Sequence, residues 1–372
     1  APVIDDNKCK SIIRYGKGFH KKRVRVLKSA DIGTTAYIFA IPMSRYQQRS
    51  STSQFATPEN QESKNFVVLK VTRTSAADTF FDNEIRISIA ASWLTESGLC
   101  PNFCLILDFW KCRAHLTIFD QDINNQTPLL KEEPQMAQQL QQPIQPPQRK
   151  RHGPDMPTNL AQENNDNTYG YMVMESLTCS LDHFIAGAHG PPHNYTAGDK
   201  YVLLMKSLLM QILGAIVCMQ RAYKMVHQDL HPHNVMLKQF NAASADQQPA
   251  CWRNTTEIKY VLGDNAHTLV VPVVDSWFDR IIDFGLASFT AYSNGKLSRY
   301  GRADIGEFTE ANKEYLYFSN DYDPYYDPQF FLAEYAFTIR TEPLLRTLYN
   351  EIVSLLYKHG FKNGKNRADA TN

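Results

Sequence analysis

Apolar positions along the chain follow two regimes. Up to about residue 175 they come in short runs of β character, and beyond residue 181 they recur at helical spacing. Residues 24–27 and 36–41 are short strand-like runs around a polar turn with one glycine, Gly33. Residues 66–71 (FVVLKV) form an apolar strand interrupted only by Lys70. Residues 76–94 carry helical spacing, with Phe80, Phe81, Ile85, Ile89 and Trp93 near one face. Residues 103–110 and 171–174 are again strand-like, and 201–223 is the strongest helical pattern. A β-rich first third and a helix-rich remainder predict an α+β chain in two lobes.

Two stretches break the pattern. Residues 122–168 are rich in Gln, Pro and Asn and poor in apolar side chains, so they cannot offset their ordering entropy and are expected to be an insertion outside the core. Residues 47–64 read as a long polar loop between strands. Residues 201–219 are apolar enough to suggest a membrane span. Lys206, Ser207 and Gln211 inside that stretch favour a core helix instead.

Charge narrows the classes further. Thirty-nine Lys and Arg against 38 Asp and Glu leave a net charge of +1, which argues against nucleic acid or membrane as the partner of the whole molecule. Locally, residues 8–28 carry nine Lys and Arg and no acid, whereas 301–342 are acid-rich. The basic arm reads as a solvated face, or as a dock for an acidic or phosphorylated partner; it is also the one place where nucleic acid contact is expected. Seven scattered Cys without a C-x-x-C pair predict no disulfide framework and an intracellular location, cytoplasmic or nuclear, and the first residues do not read as a signal peptide. Cys100, Cys104 and Cys112 are expected to be buried strand residues.

The chemistry concentrates in His227-Gln-Asp-Leu-His-Pro-His-Asn234 and in Asp283-Phe-Gly285. Asp229 can accept a proton from an attacking hydroxyl, while Asn234 and Asp283 supply hard oxygens of the kind Mg²⁺ prefers. A zinc reading of His227, His231 and His233 is weaker, because side chains in so tight a loop face different ways.

This pattern resembles the eukaryotic-type protein kinase family, with its H-R-D-L-x-x-x-N loop and D-F-G motif. The resemblance implies a two-lobed kinase-like fold, a β-rich N-lobe and a mainly helical C-lobe, with ATP and Mg²⁺ as cofactors. It divides the chain into a basic arm (1–23), an N-lobe and hinge (24–177, with the insertion at 122–168), a C-lobe (178–357) and a basic tail (358–372). Lys70 matches the lysine that contacts the α- and β-phosphates, and Glu84 the helix glutamate paired with it. Met174 matches the gatekeeper, and Glu175, Ser176 and Leu177 the hinge that binds adenine. The phosphate loop matches 28–33, with Ser29, Ala30 and the surviving Gly33 against the nucleotide. His231 stands where the family has a lysine that reaches the γ-phosphate, and Gln228 where it has an arginine. His227 is a structural packing residue, and Asp327 matches the buried Asp that supports the loop backbone; Ala-Pro-Glu is missing. The finer resemblance is to haspin-like kinases and those of large DNA viruses. The implied function is transfer of the γ-phosphoryl group to Ser or Thr of protein substrates. A pseudokinase scaffold and a small-molecule kinase are the alternatives.

Overall fold

The computed structural model of the chain describes residues 25–28, 36–42, 66–74, 80–112, 168–187, 198–239, 255–262, 267–293, 296–300 and 322–359. The basic arm to residue 24, the glycine-poor loop with Ser29, Ala30 and Gly33, and the Gln-rich stretch to residue 167 lie outside them. Strands and helices are both present, as the change of period predicts. The chain divides into two compact units, Ala1–Asp78 with Leu107–Ser176, and Thr79–Ile106 with Leu177–Asn372.

The first unit is built on one sheet. Its strands are β1 (Arg25–Lys28), β2 (Ala36–Pro42), β3 (Phe66–Thr74), β4 (Ile106–Cys112) and β5 (Thr168–Glu175), in the order β1-β2-β3-β5-β4. β3 lies between β2 and β5, antiparallel to both, and Lys70 faces Ile38 on one side and Met172 on the other. Val67, Leu69 and Val71 are buried on alternate positions, so the pleat sets Lys70 on the opposite face with the half-buried Val68. Trp110 stacks on Tyr171 at 5.3 Å between ring centroids. Cys112 is buried in β4 and is disulfide-bonded, whereas Cys100 and Cys104 are free thiols buried ahead of the strand. All three are buried as expected, but only Cys112 lies in a strand.

The second unit holds helices α1 (Phe80–Glu96), α2 (Leu181–Ile185), α3 (Gly198–Tyr223), α4 (Tyr326–Ile339) and α5 (Arg346–Lys358). A three-stranded sheet runs β10 (Trp277–Ile281), β7 (Val235–Gln239), β6 (Cys179–Ser180). Two hairpins complete it: β8 (Glu257–Val261) with β9 (Thr268–Pro272), and β11 (Phe289–Ser293) with β12 (Lys296–Tyr300). α3 is the axis of the core. Leu204, Leu208, Ile212, Ala215, Ile216 and Met219 are fully buried among Ile258, Tyr260, Phe278 and Tyr335, the disposition of a core helix. It is the one helix among the described residues long and apolar enough to cross a membrane.

α1 departs from its reading in two ways. It belongs to the second unit, not with the strands that flank it in sequence. Its buried face is also rotated from the expected one: Phe81 and Ile85 are buried, but Ile89 is 37% and Trp93 51% exposed, and Ile87, Ala91 and Leu94 are buried in their place. Glu84, Ser88, Ser92 and Thr95 are buried beside them. The physical reason is the backbone of the segment that follows, which needs hydrogen-bond partners. Thr95 Oγ1 serves the carbonyls of Cys100 and Phe103 and the Phe103 N–H, and Ser92 Oγ accepts from the Ile106 N–H.

Candidate functional site

Two turns meet because two strands pair. β7 and β10 are antiparallel with Val235 opposite Ile281, so the residue before β7 and those after β10 lie at the same sheet end. Asn234 precedes β7 and Asp283 follows β10, and the Ile282 N–H donates to the Asn234 carbonyl at 3.0 Å. The sequence separation between the two motifs is closed by this pairing, with the β8–β9 hairpin as the excursion between them.

The loop before β7 is held from below. Asp327, fully buried in the first turn of α4, accepts hydrogen bonds from the backbone N–H of His227 at 2.7 Å and of Gln228 at 2.9 Å. Gln228 has φ 67°, a conformation that costs a non-glycine residue of order 1–3 kcal/mol unless its surroundings impose it. The Asp327 carboxylate imposes it, and the bend delivers Asp229. Burial pushes the Asp327 carboxyl up to about 7, against the pull of its two N–H donors.

His227 is buried and donates from Nε2 to the Ile282 carbonyl at 2.9 Å, with its ring 5.0 Å from that of Phe284. That donor role assigns the neutral Nε2–H tautomer, and burial keeps the ring's pKa low. His227 therefore ties the Asp229 loop to the Asp283 turn. The Gln228 amide donates to Ser288 Oγ at 3.2 Å, and a pair of backbone hydrogen bonds joins Val226 to Ser288. The segment after Asp283-Phe-Gly285 is thus tethered to the loop and continues into the β11–β12 hairpin.

Asp229, Asn234, His231 and Asp283 surround the loop mouth. The Asn234 amide donates from Nδ2 to the Asp229 carbonyl at 2.9 Å and to Asp229 Oδ2 at 3.3 Å. Its Nδ2 bonded this way, the amide turns its carbonyl oxygen away from Asp229. His231 Nε2 lies 3.3 Å from the same Nδ2 and 3.7 Å from Asp229 Oδ1. Burial, with His233 and His227 close by, holds the His231 pKa down at about 4, so the ring is neutral near pH 7. Burial first, and the Asp283 charge second, raise Asp229 to about 6. Asp283 is exposed and left-handed, with φ 62° and ψ 67°.

No family model and no curated protein matches the chain. Among solved structures, one match is a crystal structure described as a kinase domain. It is 12% identical over 74% of this chain and 54% of that one, with a TM-score of 0.30. This chain therefore spans about half the length of that structure, and a likeness at that score carries no argument.

The remaining matched residues divide between the units. Lys70, Met174, Glu175 and Ser176 belong to the first, and Leu177 and Glu84 to the second. Glu84 is buried in α1, which packs on the Phe284–Leu286 turn. Three hydrogen-bonded neighbours carry no signal in the sequence: Asp182 beside His233, Ser288 beside Gln228, and the buried set Asn102, Gln211, Tyr260 and Asp279. No group of three His, Cys, Asp or Glu able to hold a metal occurs among the described residues.

Proposed function

We propose that this chain is an ATP- and Mg²⁺-dependent protein kinase that transfers the γ-phosphoryl group to Ser or Thr hydroxyls. The observation that carries the reading is the β7–β10 pairing, which brings Asp229 and Asn234 to the same sheet end as Asp283. Asp229, with a pKa of about 6, is ionised near neutral pH and can take the proton of an acceptor hydroxyl. Asn234 and Asp283 fit a hard divalent cation by donor type. The mutual repulsion that helps raise Asp229 is the kind of charge a cation relieves. When bound, Mg²⁺ would neutralise phosphate charge. By the family resemblance, Lys70 would contact the α- and β-phosphates and residues 175–177 the adenine, with Glu84 and residues 28–33 in the roles that the motif gives them. Being neutral, His231 would bring no fixed charge to the γ-phosphate. Catalysis is then chiefly positioning and electrostatic stabilisation.

The test is incorporation of labelled phosphate from ATP with Mg²⁺, offered an acidic and a basic protein. Asp283→Ala should reduce turnover at least ~100-fold, and Asp229→Ala should lower turnover while leaving nucleotide binding largely intact. An Asp283→Ala protein as active as the parent would overturn the assignment.

A further inference from the structure

We propose that Asp182 and His233 form a positioning pair that holds His231 and Asn234 in register with Asp229. The inference rests on the kinase reading and adds residues that the motif does not contain. Asp182 lies in the first turn of α2, with its side chain 12% exposed. His233 sits in the Pro232–Asn234 turn of the loop, with its side chain 69% exposed. Their contact is 2.7 Å from His233 Nδ1 to Asp182 Oδ2. A carboxylate oxygen that close makes Nδ1 the protonated nitrogen and fixes the orientation of an otherwise exposed ring. His183 Nε2 stands 3.8 Å from the same oxygen and is 61% exposed, too far for a hydrogen bond and too free to orient anything.

His233 passes that constraint inward. Its ring meets the ring of His231 edge to face, 5.5 Å between centroids and 75° between planes. His231 in turn presents Nε2 to the Asn234 amide at 3.3 Å and stands 3.7 Å from Asp229. His231 Nδ1 is buried without a hydrogen-bond partner among the described residues. Nothing bonded to Nδ1 therefore holds the ring, and the neighbouring His233 ring does so by contact. The order of dependence is Asp182, His233, His231, and then the Asn234 amide and Asp229. A lysine at 231 would act through its charge and tolerate some displacement. An imidazole acts through the direction of its ring nitrogens, which is why this loop needs a buttress where a lysine would not.

The experiment compares Asp182→Ala, His233→Phe, their double variant and His233→Asn in the full chain. His233→Asn retains an N–H donor near the place of Nδ1 but lacks the ring that meets His231. Asp182→Ala and His233→Phe should each lower kcat by about tenfold, with the KM for ATP moving less than about twofold. The double variant should be no worse than the weaker single one, because both break one contact. His233→Asn should stay low as well, because the contact with His231 is made by the ring. In parallel, nitrogen NMR of the histidine rings should show His233 protonated on Nδ1 in the parent and the tautomer mixed in Asp182→Ala. Normal kcat in His233→Phe, losses that multiply in the double variant, or a parent His233 protonated on Nε2 would overturn the pair. Should Asp182→Ala fail to fold, the exposed His233→Phe and His233→Asn decide by themselves. A parent that transfers no phosphate fails the kinase reading instead, and the NMR result separates the two.

Discussion

Asp327 shows how one residue can govern a loop it does not belong to. Its carboxylate satisfies two buried N–H groups, one of them on a residue with positive φ. Asp327→Ala leaves both donors unpaired, at about 1–3 kcal/mol each, so a loss of about 2–6 kcal/mol is expected in urea unfolding. Asp327→Asn keeps one acceptor and should lose roughly half as much. Unchanged stability in the alanine variant would mean that the loop conformation is held elsewhere. The role of Asp327 could be read from Tyr325-Tyr-Asp-Pro in the sequence only through a family resemblance. The residue types by themselves say acid before a helix, a common solvated arrangement. The same limit applies to Asp182, which looks like any acid in a first helical turn.

At the scale of elements, the β8–β9 hairpin is more than an excursion. The Tyr260 ring of β8 lies directly on Gly214 of α3, where an added Cβ would come within 2.5 Å of ring carbons. Its hydroxyl donates to Asn102 Oδ1, and the Asn102 amide donates to Gln211 Oε1 and to Asp279 Oδ1. A glycine inside a 26-residue helix is therefore explained by close approach of the hairpin. Gly214→Ala gains helix propensity of about 1 kcal/mol but forces overpacking that costs about 1–3 kcal/mol. A net loss of stability is expected in thermal or urea melts, and Tyr260→Ala in the same background should relieve it. A more stable Gly214→Ala protein would show that the hairpin gives way easily. None of this could be read in advance, because the Gly214–Tyr260 approach joins positions far apart in the chain.

Among the described residues of the second unit, three carboxyls are raised by burial. Asp279 is pushed up to about 8, Asp327 to about 7 and Asp229 to about 6, from 3.8. Between 3.8 and those values the folded state binds more protons than the unfolded chain. The stability these groups contribute is present below pH 3.8 and is lost as pH rises towards about 8. Asp279, with Asn102 and Arg280 opposing burial, spans the widest range. Unfolding free energy should therefore fall between pH 5 and pH 8, by on the order of a few kcal/mol. Asp279→Asn, which keeps the shape without the charge, should flatten that slope. Stability that rises over the same range would contradict the burial of Asp279 as an acid.

The sequence by itself determined the alternation of strand and helix, the core character of α3 and the residue types of the Asp229, Asn234 and Asp283 constellation. These are local properties, written in periodicity and in the chemistry of side chains close together in the chain. Only the tertiary structure decided that α1 belongs with the second unit and buries Ser92 and Thr95, because those hydroxyls answer the hydrogen-bond needs of residues 100–106. Only it made His231 neutral and set Asp182 against His233. Desolvation and contact depend on which distant segments surround a residue, and that information enters only when the chain folds.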